Sequence, residues 1–209
     1  MTTQEGRWEG EFGDEYNKRN DMTPMETEVL YHSLYGISRR ELNRIVLNAE
    51  EIPMRILEVG CGTGDQLAYF NVKCMGYDLQ GIDVNEKAVK RAQERGFNVQ
   101  QGSAMSLPFE DNSFDLVYTS GLLIHIRPKD IKTVMGEIVR VSRKYVWGFE
   151  YYSELLQEIP YRDNPNSCWK DDYARLYRDN HKMKLLRQIM LKRLTDGHLD
   201  TMFLLSKGE

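Results

Sequence analysis

The fold of this chain is decided by one stretch, Arg55-Ile56-Leu57-Glu58-Val59-Gly60-Cys61-Gly62-Thr63-Gly64-Asp65. An apolar strand runs directly into a glycine-rich turn, and a helix follows the turn. Such a turn needs glycine, because a residue without a side chain accepts positive φ at low cost and lets backbone groups approach a ligand. The loop spacing, Glu-x-Gly-x-Gly-x-Gly, differs from the Gly-x-Gly-x-x-Gly spacing of dinucleotide-binding dehydrogenases, and it lacks the Gly-Lys-Ser/Thr ending of a P-loop.

A second apolar run, Leu79-Gln80-Gly81-Ile82-Asp83-Val84, ends in a carboxylate roughly twenty positions after the glycine loop. A carboxylate accepts several hydrogen bonds, which suits the two hydroxyl groups of a ribose. The alternative role for Asp83 is charge stabilisation at the N-terminus of the helix that begins near Glu86. The position of Asp83 relative to the glycine loop favours the ribose role.

Joined together, these two segments resemble the class I S-adenosylmethionine (SAM) methyltransferases, and the resemblance spans roughly residues 55–117. It implies SAM as the cofactor and S-adenosylhomocysteine as the product. In that family the glycine loop wraps the methionine end of the cofactor. Glu58 beside the loop has three candidate roles. It orients the turn, it balances the cofactor's ammonium group, or it forms a salt bridge at the end of the strand. The candidate cofactor-binding residues of this core are Glu58, Gly60, Cys61, Gly62, Gly64, Asp83, Val84 and Ser120.

The segment Gly102-Ser103-Ala104-Met105 follows the third strand, where the family usually has Gly-Asp-Ala. The resemblance implies that the acidic residue and the next backbone N–H contact the adenine edge. Ser103 departs from this pattern, although a hydroxyl both donates and accepts hydrogen bonds. Met105 packs on the adenine face or serves as an ordinary core methionine. Ser103, Ala104 and Met105 complete this part of the candidate cofactor site.

The segment after the fourth strand, Thr119-Ser120-Gly121-Leu122-Leu123-Ile124-His125-Ile126, separates the substrate classes. Methyltransferases that modify exocyclic nitrogens of nucleic-acid bases place an Asp/Asn-Pro-Pro-aromatic motif here, and this segment has no proline. His125 is the histidine nearest the expected active face. It is a candidate general base for a substrate hydroxyl. The alternative is a structural histidine bound to a backbone carbonyl, since methyl transfer from a sulfonium depends largely on positioning.

The N-terminal segment, residues 8–20, is rich in aromatic side chains for a random tail. It is expected to fold over the cofactor, with Tyr16 covering it and Arg19 pairing with its carboxylate. Disorder of the segment is the alternative.

A polar-aromatic insert follows the fifth strand, and in these enzymes such an insert forms an acceptor lid. Taken with the N-terminal segment, it resembles the pseudaminic-acid-biosynthesis-associated methylase family, which implies an acidic sugar or sugar nucleotide as the acceptor. Arg162 and Lys170 suit a carboxylate or phosphate, and the aromatic side chains suit a sugar face. An ordinary surface lid is the alternative. The candidate substrate-binding residues are His125, Tyr152, Tyr161, Arg162, Trp169 and Lys170.

The overall composition narrows the function classes further. A net charge of −4 argues against a nucleic-acid partner. The three cysteines have no C-x-x-C spacing and are expected to be reduced thiols, so no metal is expected. The N-terminus has no signal pattern and no apolar run reaches the length of a membrane span. These features predict a soluble, cytoplasmic protein without a membrane partner, either a monomer or a homodimer.

Alternating strands and helices predict an α/β fold with a doubly wound, mostly parallel seven-stranded sheet and a C-terminal antiparallel hairpin. The hairpin consists of residues 183–194 and 201–205 around a turn at 195–198. A helix capped by Ser38 is expected to bury Leu42, Ile45, Val46 and Leu47. We predict a single domain over residues 1–209, divided into an N-terminal helical cap at 1–50, a SAM-binding core at 51–149, an acceptor lid insert at 150–182 and the terminal hairpin at 183–209.

The sequence therefore predicts a SAM-dependent methyltransferase that transfers a methyl group to a hydroxyl or amine of a small polar acceptor, an anionic one if the insert resemblance holds. Three alternatives stay open. The first is a natural-product or small-acid methyltransferase with the same core. The second is a SAM-binding regulatory protein without catalysis. The third is a protein or RNA methyltransferase, which would show strongly salt-dependent binding.

Overall fold

The structure is a computed structural model that describes residues 4–47, 55–73, 77–162 and 164–208. A seven-stranded sheet forms its centre, with the strand order β3-β2-β1-β4-β5-β9-β8. The first five strands run parallel, and β9 pairs antiparallel with both β5 and β8. The strands of this sheet are β1 (Arg55–Val59), β2 (Asp78–Asp83), β3 (Asn98–Gln101), β4 (Phe114–Ser120), β5 (Ser142–Tyr151), β8 (Lys184–Lys192) and β9 (Leu199–Ser206).

Helices cover both faces of the sheet, and some of them begin or end at a capping residue. Thr23 and Glu26 form a reciprocal capping box, and Gly36 ends the same helix in the left-handed conformation. Asn85 caps another helix by accepting the Ala88 N–H. The helices are α1 (Gln4–Glu9), α2 (Glu11–Asn20), α3 (Pro24–Tyr35), α4 (Arg39–Leu47), α5 (Asp65–Lys73), α6 (Glu86–Glu94), α7 (Ile131–Val141) and α8 (Tyr173–His181).

The central strands are buried on both faces, as is typical of parallel sheets between helices. Leu57 and Val117 are fully buried on one face, together with Ile138 of α7. Trp147 is fully buried on the other face, where Leu42 of α4 joins its cluster. This arrangement places the carboxyl ends of β1, β2, β4 and β5 along one edge of the sheet, which is where ligands of open α/β folds bind.

The predicted fold class and the seven-stranded sheet with its antiparallel terminal hairpin are confirmed. Two features differ from the sequence prediction. The insert after β5 contains a separate two-stranded sheet, formed by β6 (Gln157–Tyr161) and β7 (Asn164–Lys170). The prediction that Ile45 is buried is wrong, because its side chain is 38% exposed on α4. The side chains of Val46 and Leu47 lie outside the described part of the structure.

Within the described residues, no helix combines the length and the apolar character that a bilayer crossing needs.

Candidate functional site

The glycine loop connects β1 to α5 at the carboxyl edge of the sheet. Gly60, Gly62 and Gly64 have φ angles of +74°, +51° and +84°, which glycine adopts without strain. A side chain at Gly60 would place its Cβ 2.8 Å from Leu122 Cδ1, so the turn has no room for one. The Gly60 N–H donates to the Ile82 carbonyl at 2.8 Å. The loop is thereby held against the end of β2.

Asp83 ties the loop to the end of β2 from the other side. Its Oδ2 accepts the Gly62 N–H at 2.8 Å, and its Oδ1 accepts the Asn85 N–H at 2.9 Å. Burial raises the pKa of Asp83, and these backbone donors oppose that shift by stabilising the ionised form. The cap of α6 is the Asn85 side chain, which accepts the Ala88 N–H at 2.8 Å. Because each carboxylate oxygen has two lone pairs, Asp83 retains capacity for further donors such as ribose hydroxyls.

A cavity of about 360 Å³ opens beside Asp83. The glycine loop, the end of β2, the segment after β3 and the segment after β4 line this first cavity, while α1 and α2 close it. Apolar walls come from Ile82 and Val84 on one side, from Ala104 and Met105 on another, and from Leu122. A cavity at the carboxyl edge that combines the Asp83 carboxylate with these apolar walls matches the chemistry of a nucleoside.

The segment after β3 meets the first cavity through Gly102, Ala104 and Met105, but Ser103 is not among the lining residues. The Ser103 hydroxyl instead accepts the Met105 N–H at 3.0 Å. The structure therefore does not bring this predicted side chain to the cavity. The position where the family usually has an acidic residue offers the cavity no side-chain acceptor here.

Helices α1 and α2 pack across the mouth of the first cavity. The Asn85 side-chain amide donates to the Trp8 carbonyl at 3.0 Å and to Asp14 Oδ1 at 2.9 Å, and Lys87 Nζ lies 2.5 Å from Asp14 Oδ2. A Cβ at Gly13 would lie 1.9 Å from the Trp8 carbonyl oxygen, so only glycine permits this close approach of the two helices. The predicted folding of the N-terminal segment over the candidate site is what the structure shows.

Tyr16 of α2 lines the first cavity, as does its neighbour Asn17, which the sequence analysis did not single out. Burial raises the pKa of Tyr16, so its hydroxyl stays protonated. Arg19 lies elsewhere: it is exposed, its Nη1 is 3.8 Å from the Glu15 carboxylate, and it lines neither cavity.

A second cavity of about 280 Å³ lies between α3, the end of β5 and β9. Its walls are aromatic, with Tyr31, Tyr35 and Phe149 in mutual ring contact at centroid distances of 5.5 to 6.1 Å. The Tyr35 hydroxyl donates to Asp200 Oδ2 at 2.5 Å, and Arg193 Nε donates to the same oxygen at 2.7 Å. The two side chains fix Asp200, so this end of the cavity is rigid.

The two cavities meet along a shared rim. The residues that line both are Tyr16, Asn17, Gly60, Gly62, Ser120, Gly121 and His125. A molecule in the first cavity and a molecule in the second cavity therefore contact the same turn of the glycine loop and the same end of β4. This is the geometry that transfer of a group between two bound molecules requires.

His125 stands on that rim, in a short 3₁₀ turn at Leu123–His125. It is buried, and its Nδ1 lies 2.8 Å from the Ser167 carbonyl. Because a carbonyl only accepts hydrogen bonds, Nδ1 carries the proton and Nε2 is the acceptor. Burial lowers the pKa of His125 to about 4, so the ring is neutral at pH 7. The ring packs against Trp8 and Tyr161, with centroid distances of 4.6 and 4.9 Å.

Besides Asp200, two buried carboxyl groups line the second cavity. Glu58 accepts the Tyr118 hydroxyl at 2.8 Å, and burial raises its pKa well above the ordinary value. Glu150 accepts the Thr119 hydroxyl at 2.7 Å, and burial raises its pKa to about 7. The other donors to Glu150 are backbone N–H groups of the segment that carries His125. The sequence analysis assigned Glu150 to the insert and did not identify it as a site residue, because no feature of the neighbouring sequence indicates that its side chain is buried.

Arg39 is a further residue that sequence reasoning missed. It is fully buried on α4, and its guanidinium donates to Asn43, to the Tyr31 hydroxyl and, at 3.2 Å, to the Ser120 hydroxyl. The guanidinium carbon lies 4.6 Å from the centre of the Phe149 ring, a favourable position for a cation. Arg39 thus fixes one side chain of the second cavity, Tyr31, and one of the shared rim, Ser120.

The remaining predicted residues divide into two groups. Cys61 and Tyr161 line the second cavity. Gly64 turns the loop beneath the site, where a Cβ would lie 2.7 Å from the Phe97 ring. The insert residues Tyr152, Arg162, Trp169 and Lys170 line neither cavity. Arg162 is exposed beside the Tyr161 ring, and Lys170 Nζ lies 3.2 Å from His198 Nδ1.

Comparison with known sequences gives a family match over the core of the chain. Residues 56–145 match the family described as a methyltransferase domain. The phthiotriol/phenolphthiotriol dimycocerosates methyltransferase 1 of Mycobacterium ulcerans is 32% identical over 136 residues, which cover 63% of this chain and 47% of that protein. The chain thus spans about half the length of this curated relative.

Comparison with solved structures confirms the fold. A SAM-dependent methyltransferase from Methanosarcina mazei superposes with a TM-score of 0.61 at 20% identity, covering 77% of this chain and 95% of that one. The cyclase SpnF superposes equally well, with a TM-score of 0.61 at 18% identity and 80% coverage of each chain. Since proteins of different activity share this fold, function must come from the site itself.

Proposed function

We propose that this chain, which carries a class I SAM-dependent methyltransferase domain, transfers the methyl group of SAM to a hydroxyl or amine of a small polar acceptor. The observation that supports this most directly is the shared rim between the two cavities. The first cavity suits the nucleoside of the cofactor. The second cavity, which Glu58 lines, suits the acceptor and also receives the ammonium end of the cofactor. A reaction between them takes place at the rim, beside Ser120 and His125.

The residues present fit SAM. Gly60 and Gly62 line both cavities, and a Cβ at Gly60 would collide with Leu122, while one at Gly62 would lie 3.3 Å from Asn17. Asp83 retains lone pairs for the ribose diol, and the buried Glu58 suits the ammonium group of the methionine end. When bound, SAM supplies an electrophilic methyl group on a positively charged sulfur.

The contribution of the chain is alignment and exclusion of water. The glycine loop and Asp83 hold one molecule, and the aromatic walls of the second cavity hold the other. His125 offers a lone pair on Nε2 to a donor group of the acceptor. Its lowered pKa makes it a weak base, so we assign it to orientation of the acceptor rather than to storage of a proton.

The lining of the second cavity supports a neutral or cationic acceptor group more than an anionic one. Apart from Glu58, which is assigned to the cofactor's ammonium group, its carboxyl groups are Asp65, Glu150 and Asp200, whereas its one lining guanidinium, among the described residues, is Arg193. Arg193 already binds Asp200 through two nitrogens, at 2.7 and 3.3 Å. Within the described parts of the chain, no other cation lines the second cavity to receive a carboxylate or phosphate.

The acidic-sugar acceptor and the resemblance to the pseudaminic-acid-biosynthesis-associated methylases stay predictions. The side chains chosen for an anion, Arg162 and Lys170, lie off both cavities, which weakens that choice. Natural-product and small-acid acceptors remain alternatives within the same reaction class.

An acceptor panel tests the proposed function. Purified protein is incubated with SAM and with matched acceptors that carry an amine, a neutral hydroxyl or a carboxylate, and release of S-adenosylhomocysteine is measured. We expect release with at least one small acceptor and a loss of that release in Glu150→Gln, with Glu154→Gln at an exposed position as the control. Binding of SAM without release on any acceptor would favour a regulatory protein, and absence of SAM binding would overturn the proposal.

A further inference from the structure

Two side chains of the shared rim present polar atoms that the protein leaves unpaired. Tyr16 and His125 line both cavities, and their rings are neighbours, with centroids 6.4 Å apart and planes inclined by 77°. Within the described residues, neither Tyr16 Oη nor His125 Nε2 has a hydrogen-bond partner, and neither atom is fully enclosed by protein as Trp8 Nε1 is. Both atoms therefore reach the surface of the cavities, where a bound molecule pairs with them.

His125 Nε2 is a hydrogen-bond acceptor and a poor store for a proton. Nδ1 holds the proton of the ring against the Ser167 carbonyl, which lies 2.8 Å away. The ring packs between Trp8 and Tyr161, and no carboxylate of the described chain bonds to it. A second proton would therefore create an unpaired cation among aromatic rings, which is costly.

The Tyr16 hydroxyl lies between the two cavities. Burial raises the pKa of this hydroxyl, and so do nearby groups of both cavities, namely Tyr161, Tyr151, Asp83 and Tyr31. Tyr16 therefore stays protonated and does not act as a base. The oxygen of a protonated phenol still has lone pairs, which accept hydrogen bonds from N–H groups.

The shared rim thus has no group that readily takes a proton at pH 7. Its other polar side chains, Asn17 and Ser120, do not titrate in this range. Glu150 lines the second cavity but not the rim, and its carboxylate accepts the Thr119 hydroxyl and the Leu122 N–H. An alcohol must give up its proton to a base when its oxygen is methylated, whereas an amine forms a stable ammonium ion without one. The rim therefore suits an amine better than an alcohol.

The charge of the second cavity suits the same product. Methylation of an amine leaves a positive charge close to the place where the sulfonium carried it. Apart from Glu58, the described lining of this cavity has three carboxyl groups and one guanidinium, that of Arg193. An excess of carboxyl groups beside the rim stabilises a cation that forms there.

We infer that the methyl acceptor is an uncharged primary amine, whose two N–H groups are received by His125 Nε2 and Tyr16 Oη while the nitrogen lone pair faces the methyl group. This inference rests on the proposed binding of SAM. The amine gives up its third proton to water before it binds. Its lone pair then forms the N–C bond as the C–S bond breaks, and the electrons of that bond stay on sulfur. The positive charge passes from sulfur to nitrogen, and the nitrogen keeps both protons through the step.

Two analogues of S-adenosylhomocysteine test this assignment without turnover. In both, nitrogen replaces sulfur and carries a two-carbon arm, which ends in an amino group in one analogue and in a hydroxyl group in the other. Calorimetry on wild-type protein is expected to show a preference of about five-fold or more for the amino arm, as one additional hydrogen bond provides. Tyr16→Phe should reduce that preference by about three-fold or more, whereas Tyr152→Phe, at a side chain that lines neither cavity, should keep it.

The ratio of the two affinities isolates the end group, since both analogues carry the same nucleoside and amino-acid parts. A smaller preference in wild-type protein, or exclusion of both arms by protein that binds S-adenosylhomocysteine, overturns the inference of an amine. A smaller reduction in Tyr16→Phe overturns the role of that hydroxyl. Lack of affinity for S-adenosylhomocysteine itself would instead overturn the proposed function on which the inference rests.

Discussion

The position of Asp83 is compatible with both of the roles that the sequence analysis treated as alternatives for this carboxylate. It accepts the backbone N–H of Gly62 in the loop and that of Asn85 before α6, so it supports the turn and also faces the first cavity. Its predicted contact with ribose adds to these hydrogen bonds rather than replacing them.

Asp83→Ala is therefore expected to weaken binding of S-adenosylhomocysteine by ten-fold or more, because hydrogen bonds to a charged group contribute about 1.5–3 kcal/mol each. Isothermal titration calorimetry measures the change. Asp78→Ala is the control, since Asp78 lies at the other end of β2 in a surface pair with Arg55. An affinity equal to that of wild type would remove Asp83 from the ribose site.

Glu150 is expected to make stability depend on pH. Burial raises its pKa from 4.5 to about 7, so the folded state binds more protons than the unfolded state between these values. The contribution of Glu150 to the free energy of unfolding therefore decreases as pH rises from about 5 to 8. The loss is about 2–3 kcal/mol at one site with this shift. Glu150→Gln should gain stability relative to wild type over that interval in urea denaturation.

The exposed Glu154→Gln variant should follow the wild-type profile. If the free energies of unfolding of Glu150→Gln and wild type change in parallel from pH 5 to pH 8, Glu150 does not carry the raised pKa.

At the scale of elements, the loop between β1 and α5 depends on two separate properties of glycine. Gly60 has a positive φ and also lies against Leu122, with 2.8 Å between the position of a Cβ and Leu122 Cδ1. Gly96, at the end of α6, has a positive φ of +86° and no atom within 4 Å of that position. A comparison of substitutions at Gly60 and Gly96 therefore distinguishes the cost of backbone strain from the cost of close packing.

Gly60→Ala should lower the free energy of unfolding more than Gly96→Ala does. The strain of a left-handed residue is common to both, at about 1–2 kcal/mol, and the collision with Leu122 is added only at Gly60. Gly60→Ala should also weaken binding of S-adenosylhomocysteine, while Gly96→Ala should keep it. Equal losses of stability in chemical denaturation would show that Leu122 yields to the new methyl group.

The sequence predicted the elements of the sheet well because apolar runs, glycine turns and caps are local signals. These signals correctly predicted the helix cap at Asn85, the helix end at Gly96 and the turn at 195–198. The hairpin of β6 and β7 was missed because its strands are largely polar and each contains a proline, Pro160 or Pro165, which argues against a strand. Helix α1 was missed for a related reason, since its stability depends on contacts with Asn85 and His125 that are distant in sequence.

The candidate cofactor site could be predicted in its central part, because the loop and Asp83 belong to two consecutive strands. The acceptor side could not. Tyr31 and Tyr35 come from α3, Glu150 from β5, and Arg193 and Asp200 from the terminal hairpin. Only the order of strands, with β9 inserted between β5 and β8, brings these distant segments together.

At the scale of the whole molecule, the positive charge of the insert lies away from the two cavities. Arg162 is exposed at the turn between β6 and β7 and lines neither cavity, whereas Arg193 lines the second cavity. The second cavity is therefore not a basic pocket, and the protein as a whole carries a net charge of −4.

Arg162→Ala is accordingly expected to leave the Michaelis constant of any active acceptor within about two-fold of wild type, as is usual for a surface substitution. Steady-state kinetics with charged and neutral acceptors measures it, and Arg178→Ala on the exposed side of α8 is the control. A rise of ten-fold or more that is confined to anionic acceptors would restore the insert as the anion-binding lid.

Helices α1 and α2 close the first cavity through the contacts of Trp8, Asp14 and Gln4 with α6 and His125. A cofactor bound in the first cavity as proposed would lie against both helices, so detachment of this segment would widen the path for its entry and release. The residence time of the product, and hence the strength of product inhibition, would then depend on how often these two short helices undock.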